Sequence, residues 1–116
     1  MSTESIPVTM EGKVAIVTAP GYVNEKIAEA ISEECNSLID GGICQVLIDM
    51  KECRMVNSVG VAIIIEIIEL LGEQEGSLAF CNLDETIGKT FQIMGLKELA
   101  KIYGDPEEAL AGFSTA

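Results

Sequence analysis

The chain contains no histidine at all. That absence removes Ser-His and Cys-His nucleophile pairs, the common zinc constellations and the usual general base. Most hydrolase chemistry at a serine ends there. Basic residues are also scarce, seven against nineteen acidic ones, for a net charge of −12. Such a chain is not expected to bind nucleic acid or an anionic membrane. The charge fits a well-solvated surface, or steering toward a basic protein partner.

Further absences narrow the class. No C-x-x-C spacing links Cys35, Cys44, Cys53 and Cys81. Cys35 falls on a predicted helix face and Cys44 and Cys81 in strand-like runs, where a thiol acts as a small hydrophobe. A reduced, cytoplasmic setting is the expectation, without disulfides. Met1 to Ser5 lacks the features of a signal peptide. The longest apolar stretch, Val61 to Leu71, is broken by Glu66 and Glu69 and is too short to span a bilayer. No G-x-x-x-x-G-K-[ST] loop occurs, and Gly21, Gly41 and Gly42 are too sparse for a phosphate cradle. Glu66, Glu69 and Glu73 read as a solvated helix face, since one helix does not converge its carboxylates on a metal. No metal, cofactor or membrane insertion is expected.

What is present suits one compact domain over residues 1–116, with its core at about 6–113. The chain is 48% hydrophobic, enough for a real core. Ile6–Met10 and Lys13–Thr18 read as strands joined in a hairpin at Glu11-Gly12. Asn24 caps a helix whose inner face carries Ile27, Ile31, Cys35, Leu38 and Ile39, stopped by Gly41-Gly42. A buried strand follows at 43–49, then a loop at 50–57 and a helix from about Ser58 to Leu71, with Gly72 as its stop. Ser77–Cys81 is a strand, and Asp84–Met94 a helix with Ile87, Phe91 and Met94 inward. Lys101–Tyr103 is a short extended piece. Asp105-Pro106-Glu107-Glu108 opens a last helix with a capping box. The order predicts an α/β fold, a mixed sheet packed with helices, whose functional end holds the 50–58 loop.

Ser58 is the position of interest, at the expected start of a helix where N–H groups and the macrodipole favour an anion. Local chemistry leaves two readings. It is a cap worth about 1 kcal/mol, or a hydroxyl whose phosphorylation the helix tolerates and a partner reads. Gly60 is read as a packing glycine, and Met55, Met94 and Phe91 as core.

Several stretches carry a family likeness: Gly21-Tyr22-Val23-Asn24, Val46-Leu47-Ile48-Asp49-Met50, Leu78-Ala79-Phe80-Cys81-Asn82, Phe91-Gln92-Ile93-Met94-Gly95-Leu96 and Asp105-Pro106-Glu107-Glu108-Ala109-Leu110. Most telling is Met55-Val56-Asn57-Ser58-Val59-Gly60-Val61. Together they resemble the STAS domain family, which typically shows D-S-[ST]-G-L at that last place, over Ile6 to about Phe113. A free-standing domain of this size resembles the bacterial anti-sigma factor antagonists, which are not enzymes. The resemblance implies binding to an anti-sigma factor that is also a serine kinase, which frees a sigma factor. It implies that phosphorylation of Ser58 ends the interaction and that a serine phosphatase restores it. The implied partner surface comprises Tyr22, Asn24, Met55, Asn57, Ser58, Val59 and Gly60.

The chain departs from the family at three of those places. The usual acids at positions 24 and 57 are Asn, and the second motif serine is Val59. Asn57 removes a charge that would repel a neighbouring phosphate, and also one that a basic kinase surface would read. These departures motivate an alternative, an unphosphorylated STAS subunit of another signalling or lipid-transport assembly. A small nucleotide hydrolase is a third reading, with little support given the missing histidine and phosphate loop.

Overall fold

A computed structural model describes residues 6–114; the Met1–Ser5 reading and the ends of the 1–116 domain lie outside the described residues. Continuous apolar runs, buried on both faces, build the central strands of the sheet. Strand β1 (Val8–Glu11) pairs antiparallel with β2 (Val14–Thr18), so the hairpin read from the sequence is present with its turn at Gly12-Lys13. Gly12 takes a φ of +62° at the first turn position, which a side chain resists there and glycine does not. There follow β3 (Tyr22–Val23), α1 (Glu25–Asp40), β4 (Gln45–Asp49), β5 (Met55–Val56), α2 (Ser58–Glu73) and β6 (Ser77–Cys81). The chain continues through α3 (Glu85–Ile93), a 3-10 turn (Leu96–Glu98), β7 (Lys101–Tyr103) and α4 (Pro106–Ser114).

The main sheet runs β1-β2-β4-β6-β7, parallel except for the first hairpin pair. Successive strand residues point to opposite faces, and both faces are covered. Val17, Val46, Ile48, Leu78 and Phe80 face the large core under α1, α2 and α3. Val14, Leu47, Ala79 and Cys81 face a smaller core closed by Ala109 and Phe113 of α4. Phe80 and Phe91 meet edge to face at 4.9 Å between ring centroids in the larger core. This is the α/β, mixed-sheet fold that the sequence predicts.

Side-chain caps start α1, α3 and α4 where the sequence puts them. Asn24 Oδ1 accepts from the Ile27 amide at 3.0 Å, and Asp84 Oδ1 from the Ile87 amide at 2.8 Å. Asp105 Oδ1 accepts from the Glu108 amide at 2.8 Å while Glu108 Oε1 reaches back to the Gly104 amide at 3.0 Å. The latter is a capping box shifted outward by one residue.

Four expectations need correction. Gly72 does not stop α2, which runs on to Glu73; the left-handed turn that redirects the chain is at Glu75, with φ +59°. Met94 is not core but 41% exposed, because α3 ends at Ile93 and the left-handed Gly95 turns the chain so that Leu96 takes the inner place. Cys44 lies just before β4 and is only half-buried. Within the loop read at 50–57, two residues form β5.

Two glycines make opposite predictions. A Cβ at Gly76 would collide with the Cys44 carbonyl, whereas one at Gly88 inside α3 meets nothing. Gly76→Ala is expected to lose about 1–3 kcal/mol in urea unfolding, as overpacking does. Gly88→Ala is expected to gain about 0.5–1 kcal/mol by restricting the unfolded chain.

Candidate functional site

Two helix N-termini are set side by side by four strand residues. β3 and β5 pair in parallel, Tyr22 opposite Met55 and Val23 opposite Val56. The next residue of each strand is a helix cap, Asn24 for α1 and Asn57 for α2. The Arg54 and Met55 amides both donate to the Gly21 carbonyl, at 2.8 and 3.3 Å, and the Asn57 amide donates to Val23 at 3.2 Å. Val23 and Val56 point into the core, so Tyr22 and Met55 point out.

The segment between β4 and β5 is held from below. Met50 is buried and its amide donates to the Cys81 carbonyl at 2.9 Å. Asp49 Oδ1 accepts from the Lys51 amide at 3.0 Å and from Asn82 Nδ2 at 2.9 Å, tying this loop to the one after β6. The Arg54 guanidinium donates to the Lys51 carbonyl at 2.9 Å, which closes the loop on itself. Cys53 is buried, its thiol donating to the Met55 carbonyl at 3.4 Å.

Ser58 is not the cap. Asn57 has the extended backbone that a cap requires, and its Oδ1 accepts from the Gly60 amide at 2.8 Å. Its Nδ2 donates to the Tyr22 hydroxyl at 3.3 Å, so one side chain caps α2 and bridges to β3. Ser58 is therefore the first helical residue. Its hydroxyl is exposed and makes no hydrogen bond to protein among the described residues.

The remaining residues of the expected surface fall into place around it. Tyr22 is 45%, Met55 56% and Val59 44% exposed, an apolar fringe beside the serine. Reading Met55 as core is thus overturned, because the register with Tyr22 turns it outward. Asn24 is half-buried, its oxygen taken by α1. Gly60 is buried, and a Cβ there would lie 2.6 Å from the Val23 carbonyl. It supports the surface from beneath by letting α2 close on β3, rather than lining it.

Electrostatics single out the α2 end. The first turn of α1 carries Glu25, which offsets its dipole, whereas the first turn of α2 has no acidic residue. In a chain of net charge −12 this leaves a helix N-terminus open to an anion at Ser58. Burial first of all, and then the neighbouring acids, push the Cys35 and Cys81 thiols up to about 12, and burial likewise raises that of Cys53. Among the described residues no set of three His, Cys, Asp or Glu side chains is placed to hold a metal, and no helix is long and apolar enough to cross a membrane.

The β3·β5 pair and the Tyr22–Asn57 bridge escape a reading by periodicity, since two residues carry no period. A signal exists nonetheless. Tyr22-Val23-Asn24 and Met55-Val56-Asn57 repeat one pattern, outward residue, buried valine, capping asparagine, each just before a helix.

Comparison with known proteins agrees with this fold. The model of the STAS domain family matches residues 5–109. BtrV of Bordetella bronchiseptica, provisionally named an anti-sigma factor antagonist, is 27% identical over 101 residues, 87% of each chain. An anti-sigma-factor antagonist (STAS) domain protein from Planctomyces limnophilus superposes with a TM-score of 0.82 at 23% identity, over 94% of this chain and 97% of that one. The Bacillus cell fate determinant SpoIIAA in its phosphorylated form gives 0.73 at 19% identity, over 94% and 99%.

The cap assignment predicts a split among neighbouring variants. Asn57→Ala is expected to lose about 1 kcal/mol or more of unfolding free energy, and Asn57→Asp much less, since it keeps the capping oxygen. Ser58→Ala is expected to stay within about 0.5 kcal/mol of the parent. A larger loss at Ser58 than at Asn57 in chemical denaturation would reverse the assignment.

Proposed function

The chain belongs to the STAS domain family, and on that premise we propose that it is an anti-sigma factor antagonist whose binding is switched at Ser58. In this reading the surface of Tyr22, Asn24, Met55, Asn57, Ser58 and Val59 docks on an anti-sigma factor with serine kinase activity. That kinase phosphorylates Ser58 and a serine phosphatase reverses the step, so sigma-factor-dependent transcription is regulated. Ser58 is the substrate, not a catalyst. The observation that carries the reading is a hydroxyl left exposed and unbonded at the first position of α2, with Asn57 doing the capping instead.

The physics of the switch follows from that position. A phosphate adds a charge of about −1.5 to −2. At the unneutralised end of α2 it is favoured by the dipole, so the domain stays folded. Docking would instead strip water from a dianion set among exposed Tyr22, Met55 and Val59, which is costly. The fold tolerates the modification and the interface does not. Asn57 sharpens the contrast, because no carboxylate at that position repels the phosphate. The provisional naming of BtrV and the existence of a phosphorylated SpoIIAA of like fold support the reading.

The test uses the kinase partner recovered from the native cell. Incubation with it and ATP, followed by mass mapping, is expected to place one phosphate on Ser58. Ser58→Ala is expected to bind like the parent, and Ser58→Asp at least tenfold more weakly. Modification elsewhere, or none by a kinase that demonstrably binds, removes the switch. Equal binding by Ser58→Ala and Ser58→Asp supports instead the constitutive subunit that Asn24 and Asn57 suggest.

A further inference from the structure

At the far end of α2 from Ser58 lies a half-open groove of about 930 Å³ that the proposed function does not use. It arises from the shortness of β7. That strand begins with Lys101 opposite Ala79, so Ser77 and Leu78 of β6 run past it without a partner on that side. Gly72 leaves the space unfilled, since a Cβ there would meet nothing within 4 Å. Ile68, Leu78, Ile102 and Phe113 give it apolar walls, and Leu99, 50% exposed, stands at its edge.

The charge at its rim runs against the rest of the molecule. Lys97 and Lys101 both border the groove, two of only seven cations in the chain. Glu98 is the single acid among the lining residues, out of nineteen in the chain. An apolar cleft of this size with a few polar groups at its mouth is the usual form of a small-molecule site. Addition of a peptide strand suits it poorly, because a three-residue edge bearing an exposed lysine is blunted against pairing. We infer that this groove binds an amphipathic anion of small-molecule size, an acyl carboxylate in chemical class, with its chain on Ile68, Leu78 and Ile102 and its head at Lys97 and Lys101. The nearest α2 residue of the site, Ile68, lies ten residues along the helix from Ser58 (68 − 58), or about 15 Å. It therefore stands or falls independently of the proposed switch.

Sodium decanoate, added below its micelle concentration to the ¹⁵N-labelled full chain, provides the test. Saturable amide shifts are expected at Gly72, Leu78, Leu99 to Tyr103 and Gly112, with Ser58 to Gly60 unmoved. The double variant Lys97→Glu, Lys101→Glu is expected to bind decanoate at least tenfold more weakly, and 1-decanol to bind the parent at least tenfold more weakly than decanoate. Gly72→Leu places a side chain in open space at the groove. It is expected to abolish the shifts while leaving the melting temperature at or above that of the parent. No saturable shifts, or shifts centred on another surface, overturn the site. Equal affinity for decanol and decanoate overturns the anionic head. Concentration-dependent shifts at these residues without any probe assign the groove to a second copy of the chain and overturn the ligand.

Discussion

The proposed binding face depends on the parallel pairing of Tyr22-Val23 with Met55-Val56. Two residues are far too few to hold a sheet together alone. The pair persists because Val23 and Val56 are buried in the main core and because Gly60 lets α2 close against the Val23 carbonyl. From that pairing the rest follows by register. The cap of α1 and the cap of α2 fall one residue beyond it, the two helix N-termini open on one surface, and Tyr22 and Met55 turn outward together. The Tyr22–Asn57 hydrogen bond adds a polar tie across the same seam.

That geometry gives Ser58 an unusual freedom. A serine at the start of a helix ordinarily spends its hydroxyl on the backbone. Here Asn57 has already taken the Gly60 amide, so the serine keeps an exposed, unbonded oxygen on a rigid first turn. The acids of α2 are displaced toward its other end, at Glu66, Glu69 and Glu73 on the solvent face, which leaves the N-terminal turn uncompensated. Fixed position, free hydroxyl and a local preference for an anion are what a reversible phosphorylation site needs. They are not what a nucleophile needs, since among the described residues no side chain hydrogen-bonds the Ser58 hydroxyl to take its proton. On the proposed reading, chemistry is done to this residue by another protein.

Much of the fold was legible in the sequence, for identifiable reasons. Gly12, Asn24, Gly41-Gly42, Asp84, Gly95 and Asp105-Pro106 mark boundaries by chemistry that acts within a few residues, and those boundaries hold. Glu66, Glu69 and Glu73, read as one solvated helix face, do lie exposed along α2. What escaped was set by tertiary contact. Serine and asparagine are equally good caps, so local propensity does not choose between Ser58 and Asn57; the extended path imposed by β3 does. Met55 and Met94 are apolar and read as core, yet register turns one outward and the Gly95 turn strands the other. The groove beside β7 was invisible for the same reason, being a gap left by a strand that starts late.

On the proposed reading, the seam of β3 and β5 carries the partner surface. This is tested most directly by adding the anti-sigma factor kinase from the native cell, without ATP, to the ¹⁵N-labelled chain and mapping which amides shift or broaden. The expected footprint is centred on Tyr22 to Asn24 and Met55 to Val59, and it is absent from Lys97 to Tyr103. A tight complex whose footprint spares Tyr22, Met55 and Ser58 would contradict it.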